Sequence, residues 1–108
     1  MRLLKKRPGA ELEVIEVKNE LQNLQEAVGG YIQTVPFVND IVMLCDEEGE
    51  LKGKDANFPY NDDLIVGDVV FLGTALGEFR GLTDTEIGLI KTIFELGVNT
   101  RKRSEKIV

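Results

Sequence analysis

Short alternating apolar stretches, separated by turn formers, dominate the chain, and helical spacing interrupts them only twice. Residues 2–7 read as a short edge strand closed by Pro8-Gly9, where proline presets φ and glycine accepts positive values. Residues 11–17, rich in β-branched side chains, largely alternate. The adjoining Val14 and Ile15 break that alternation, which suits a bulge or a partly covered second face. Spacing then changes: Leu21, Leu24, Ala27 and Val28 share one helical face, with Asn19 and Gln22 placed as a capping pair and Gly29-Gly30 as the stop. A helix over about 19–28 follows.

Tyr31 to Val35 returns to strand, and Pro36 assigns it to an edge or an end because proline offers the ladder no donor. Ile41 to Cys45 is apolar at every position, the signature of a strand covered on both faces. Asp46-Glu47-Glu48-Gly49 reads as a type I turn with a glycine bulge, and residues 50–53 as the returning strand. Between Lys54 and Asp63 turn formers take over, so a loop is expected there. Leu64 to Val66 and Val69 to Leu72 read as strands, and Gly73 to Gly81 as a loose connection.

Thr83-Asp84-Thr85-Glu86 is a capping box, and Leu82 with Ile87 completes a hydrophobic staple at the start of a helix over 84–96. Gly88 inside it suggests a close packing contact, since an interior glycine costs about 1 kcal/mol against alanine. The elements predict one α+β domain over 1–98 and a basic tail over 99–108. Its core would be a small mixed or antiparallel sheet of five or six short strands, with both helices on one face.

A chain of 108 residues with 43% hydrophobic residues can bury a core without disulfides or metals. Cys45 is the single cysteine, which excludes an intrachain disulfide and fits a buried thiol in a reducing compartment. No segment has the length of a membrane span, and no hydrophobic stretch follows the basic N-terminus as in a signal peptide. A cytoplasmic protein, in a bacterial cell or an infected host cell, is expected, without membrane contact. Residues 11–98 hold 18 acids against 5 bases, a net −13, between two basic ends. Direct nucleic-acid binding is therefore not expected.

The run Leu24-Gln25…Val28-Gly29-Gly30-Tyr31-Ile32, then Asp40…Val42…Leu44-Cys45-Asp46-Glu47-Glu48-Gly49, then Asn57, then Gly67…Gly73, resembles the domain of unknown function 3846 family. The resemblance covers roughly residues 10–85 and implies a setting in phages, plasmids or Gram-positive bacteria. It implies no activity. Where it leads one to expect an arginine after the loop asparagine, Phe58 stands here.

With no histidine, Ser-His and Cys-His pairs are absent, and Gly73-Thr74-Ala75-Leu76-Gly77 lacks the lysine of a phosphate loop. With Asp46 as the first place, Gly49 falls at the fourth rather than the sixth, which excludes an EF-hand. No enzyme activity, cofactor or metal is expected. The candidate contact residues are Tyr31, Asn57, Phe58, Tyr60, Asn61, Asp62 and Asp63, where aromatics beside amides can stack on and bond to a base or a peptide. The favoured expectation is a small acidic non-enzymatic binding protein of a phage or other mobile element, with a counter-defence role. Its partner would be a protein, with a homodimer also expected. Two alternatives stand beside it: a nucleic-acid mimic that inhibits a DNA-binding enzyme, and a protein that sequesters a nucleotide.

Overall fold

A computed structural model describes residues 1–97; the basic tail expected over 99–108 lies outside the described residues. Ten elements follow in order: β1 (Arg2–Lys6), β2 (Glu13–Glu16), α1 (Leu21–Val28), β3 (Ile32–Pro36), β4 (Ile41–Asp46), β5 (Ala56–Tyr60), β6 (Asp63–Val66), β7 (Val69–Ala75), β8 (Glu78–Arg80) and α2 (Asp84–Leu96). The fold is α+β. Six strands form one antiparallel sheet in the order β2-β1-β7-β4-β3, with β8 paired to the far end of β7, while β5 and β6 form a separate hairpin.

Strand alternation divides the core between the two faces of this sheet. Leu4, Ile41, Met43, Cys45, Val69 and Phe71 point to one face, where they pack against Phe58 and Ile65 of the hairpin and Ile87 and Ile90 of α2. Leu3, Leu44, Val70 and Leu72 point to the other, under Leu24, Ala27 and Val28 of α1. The helices therefore lie on opposite faces, not on one. The central strands β4 and β7 are apolar on both faces and need cover on each: α1 provides it on one, and α2 together with the β5–β6 hairpin on the other.

Several boundaries also differ from expectation. β1 is an interior strand between β2 and β7, and its pairing with β2 is regular through Val14 and Ile15. No strand forms over residues 50–53; a compact turn occupies them. The expected loop 54–63 contains most of the β5–β6 hairpin. Tyr60↔Asp63 closes it, so Pro59 falls where its missing donor would point outward, and the loss costs no ladder bond. The expected loose connection 73–81 is a second hairpin, turning through Leu76 (φ 53°) and Gly77 (φ 79°). Leucine is an unusual residue for such a primed turn, which hid it.

Asn19 does not cap α1. Its amide donates to the Phe79 carbonyl of β8 at 3.0 Å, and the helix starts at Leu21 with no side-chain cap on Glu20. At α2 the expected capping box is complete. The Thr83 hydroxyl accepts from the Glu86 N–H at 3.1 Å, and the Glu86 carboxylate accepts from the Thr83 N–H at 2.9 Å. Both oxygens of Glu86 also receive Arg80 at 2.8 Å. The hydrogen bonds from Arg80, outweighing burial, hold its carboxyl at about 2.

Gly88 has no packing reason: it is exposed, and a Cβ there would meet nothing within 4 Å. Gly88→Ala should therefore raise stability by about 1 kcal/mol, and Thr83→Ala should lower it by about 1 kcal/mol. Chemical denaturation of the two variants checks both signs.

Candidate functional site

The chain leaves β4 at Asp46 and reaches β5 at Ala56 through a turn that is tied down from both sides. The Asp46 carboxylate is fully buried. Lys52 Nζ approaches it at 2.7 Å and Lys54 Nζ at 2.8 Å, and the Glu48 N–H donates to its other oxygen at 2.9 Å. Burial alone would raise this carboxyl; the two ammonium groups and the backbone donor outweigh it and hold the value at about 2.

The same two lysines close the end of α1. Gly29 adopts φ 78° as the left-handed stop, and the Gly29 and Gly30 N–H groups return to the Gln25 carbonyl at 2.8 and 3.1 Å. Beyond them the Val28 carbonyl accepts from Lys54 Nζ at 2.9 Å, and the Gly29 carbonyl accepts from both lysines at 3.3 Å. The negative end of the helix and the buried carboxylate thus share one pair of cations. Gly30 must be glycine, because any Cβ would overlap the Asp46 carboxylate.

Asn57 plays a comparable internal part. The register shift between Ala56 and Phe58 turns its side chain out of the hairpin ladder. Its amide then donates to the carbonyls of Lys6 at 2.9 Å and Gly67 at 2.8 Å, and its oxygen accepts from Lys6 Nζ at 2.8 Å. Both N–H donors are used. Phe58 is buried in the aromatic cluster with Phe71 and Phe94.

The other expected contact residues separate. Tyr31 is 65% exposed and borders a shallow depression with Gln22 and Gln25 of α1. Tyr60 donates to the Phe37 carbonyl at 3.1 Å and packs against the Phe37 ring at a 38° tilt, and burial raises its phenol. Tyr60, Asn61 and Asp63 line a groove of about 770 Å³ on the α2 side of the sheet, while Asp62 is exposed near the hairpin tip.

Four elements build that groove. Gln33 and Val35 of β3 and Cys45 of β4 border the sheet side, and β6 forms a wall. Glu47, Glu50 and Leu51 of the turn close one end. Among the described residues no lysine or arginine lines it. Glu47 and Glu50 make no ion pair among the described residues, and Leu51 is 87% exposed beside them. The Cys45 thiol is pushed up by burial and by the charges of Asp46 and Asp63, which leaves it a poor nucleophile. Among the described residues no group of three or more histidine, cysteine or acidic side chains is arranged to hold a metal. No helix among them is long and apolar enough to cross a membrane. Glu50 and Leu51 are hidden in the sequence because residues 50–53 read as a strand, and Glu47 reads there only as part of a turn.

These features define a small antiparallel α+β domain whose turn after β4 is locked from within and borders an acidic groove. The chain belongs to the family described as Domain of unknown function (DUF3846), whose model matches residues 1–95. No curated protein and no solved structure is significantly similar to it.

The lock has a definite pH signature. Asp46 has a depressed folded value, about 2 against an ordinary 3.8, so its stabilisation is present above about pH 4 and is lost as pH falls toward 2. Asp46→Asn should lower stability by about 2 kcal/mol at pH 7, the scale of a hydrogen bond to a charged group. Denaturation curves for both proteins should converge as the pH drops to 2. A difference that stayed constant across the acid range would contradict the assignment.

Proposed function

We propose that the chain is a non-enzymatic protein-binding domain of a phage or other mobile element. It acts in the bacterial cytoplasm, and counter-defence is the role that suits this setting. The acidic groove beside β3 carries the reading. A groove lined by Glu47, Glu50 and Asp63, with no base among the described residues, repels phosphate and attracts a basic protein surface. Exposed Leu51 and Leu64 at its border supply apolar area for a contact.

Nothing favours the nucleotide alternative to the same degree. Asn57 has its amide donors spent on Lys6 and Gly67, and Tyr31 and Tyr60 border different depressions. The mimicry alternative needs phosphate-like spacing of free acids along one face. Here Glu13, Glu16, Asp68, Asp84 and Glu86 are paired with bases or the N-terminus, on elements spread around the sheet. A homodimer remains part of the proposal only as a measured outcome, since two acidic grooves repel each other.

Affinity capture from host lysate, with the native chain and a Glu47→Lys/Glu50→Lys/Asp63→Lys variant as baits, tests this. A protein retained by the native bait, released by salt and absent from the variant is the expected result. Equal retention by both baits would move the contact elsewhere. Thermal stabilisation by a nucleotide, with no protein retained, would favour the sequestering alternative.

A further inference from the structure

Among the described residues the sheet ends at β3, which pairs with β4 on one side and has no strand on the other. The pairing fixes which backbone groups face outward. The Glu47 N–H donates to the Tyr31 carbonyl at 2.8 Å, and the Phe37 N–H donates to the Ile41 carbonyl at 3.0 Å. With the intervening register Gln33↔Cys45 and Val35↔Met43, residues 31, 33, 35 and 37 direct their backbone groups to β4. Ile32 and Thr34 therefore present N–H and C=O to the open side. Pro36, next in that alternation, has no donor to present and ends the usable edge.

Side chains follow the complementary alternation. Val35 packs on the α2 side of the sheet, and Gln33 lines the groove with it, whereas Ile32 packs on the α1 side. A strand laid along β3 would match this pattern. Residues opposite Gln33 and Val35 would point into the acidic groove, and those opposite Ile32 and Thr34 would point to the α1 side. The groove supplies Glu47, Glu50 and Asp63 for cationic heads, and Leu51 and Leu64 for the methylene stems behind them.

We infer that β3 is a strand-addition site for an extended segment of a partner protein in which lysine or arginine alternates with apolar residues. The inference rests on the protein-binding reading above and specifies its mode. Main-chain bonds to Ile32 and Thr34 supply affinity, and the alternating cations supply selectivity. A second copy of the chain is the weaker occupant, because β3 itself (Ile32-Gln33-Thr34-Val35-Pro36) offers no cation to the groove.

An acetylated Lys-Val-Lys-Val-Lys-Val peptide is the probe, titrated into the isotope-labelled full chain by NMR. Saturable shifts and slowed hydrogen exchange at the Ile32 and Thr34 amides are expected. The Glu-Val counterpart should not bind. A Lys-Val probe N-methylated at alternate residues should bind about tenfold more weakly, as should Thr34→Pro, whose lost donor lies outside the β3–β4 ladder. The methylated probe keeps the test valid even if Thr34→Pro unfolds. Binding unaffected by N-methylation would overturn strand addition while leaving a side-chain contact in the groove. Absence of any binding by the native chain would overturn the inference, and the lysate capture would still decide the broader reading. Concentration-dependent dimerisation abolished by Thr34→Pro would replace the partner segment with a second copy.

Discussion

The buried Asp46 carboxylate is the constraint around which the rest arranges itself. An unpaired carboxylate at full burial would be too costly to keep ionised, so two lysines must reach it. They come from the turn that follows, which bends back through the bonds from Glu48 and Gly49 to Asp46. Having reached the carboxylate, the lysines also meet the last carbonyls of α1, and this fixes the helix against β4. One charge therefore sets the end of a strand, the path of a turn and the end of a helix.

That arrangement separates architecture from contact surface. Gly29, Gly30, Asp46, Asn57 and Gly73, all within the family resemblance, have internal explanations. Gly29 supplies a left-handed stop, Gly30 leaves room for the carboxylate, Asn57 joins β1 to the turn before β7, and Gly73 leaves room for Arg80. The groove draws on residues outside that internal set, such as Glu50, Leu51 and Leu64. Gly49, buried where a Cβ would stand 2.9 Å from Val66, seats the turn against β6 and so joins the lock to the groove wall.

Local rules were enough for α2, whose capping box and start follow from Thr83, Glu86, Leu82 and Ile87, and whose stop follows from Gly97. The uniform apolar run of β4 gave its double cover. Which element covers each face, α1 on one and α2 with the β5–β6 hairpin on the other, is not written along that one strand. The hairpins at 56–66 and 69–80 were obscured by Pro59 and Leu76, residues whose placement depends on which backbone groups face outward. Of the expected contact residues, Tyr60, Asn61 and Asp63 do meet in the groove. Phe58 and Asn57 are drawn inward by packing and by the register shift in β5, which tertiary structure alone reveals. Nothing in the sequence pattern marks Lys52 and Lys54 as partners of Asp46; the fold brings them there.

The most direct test of this account is native-state hydrogen exchange on Lys54→Met, which removes one cation and keeps the aliphatic stem. The account predicts lost protection at the amides of Glu48, Gly49, Gly29 and Gly30, with the central β7 amides of Val70 and Leu72 unchanged. Unchanged protection throughout the turn, or an equal loss in β7, would contradict the claim that Asp46 and its lysines hold the turn and the helix end together.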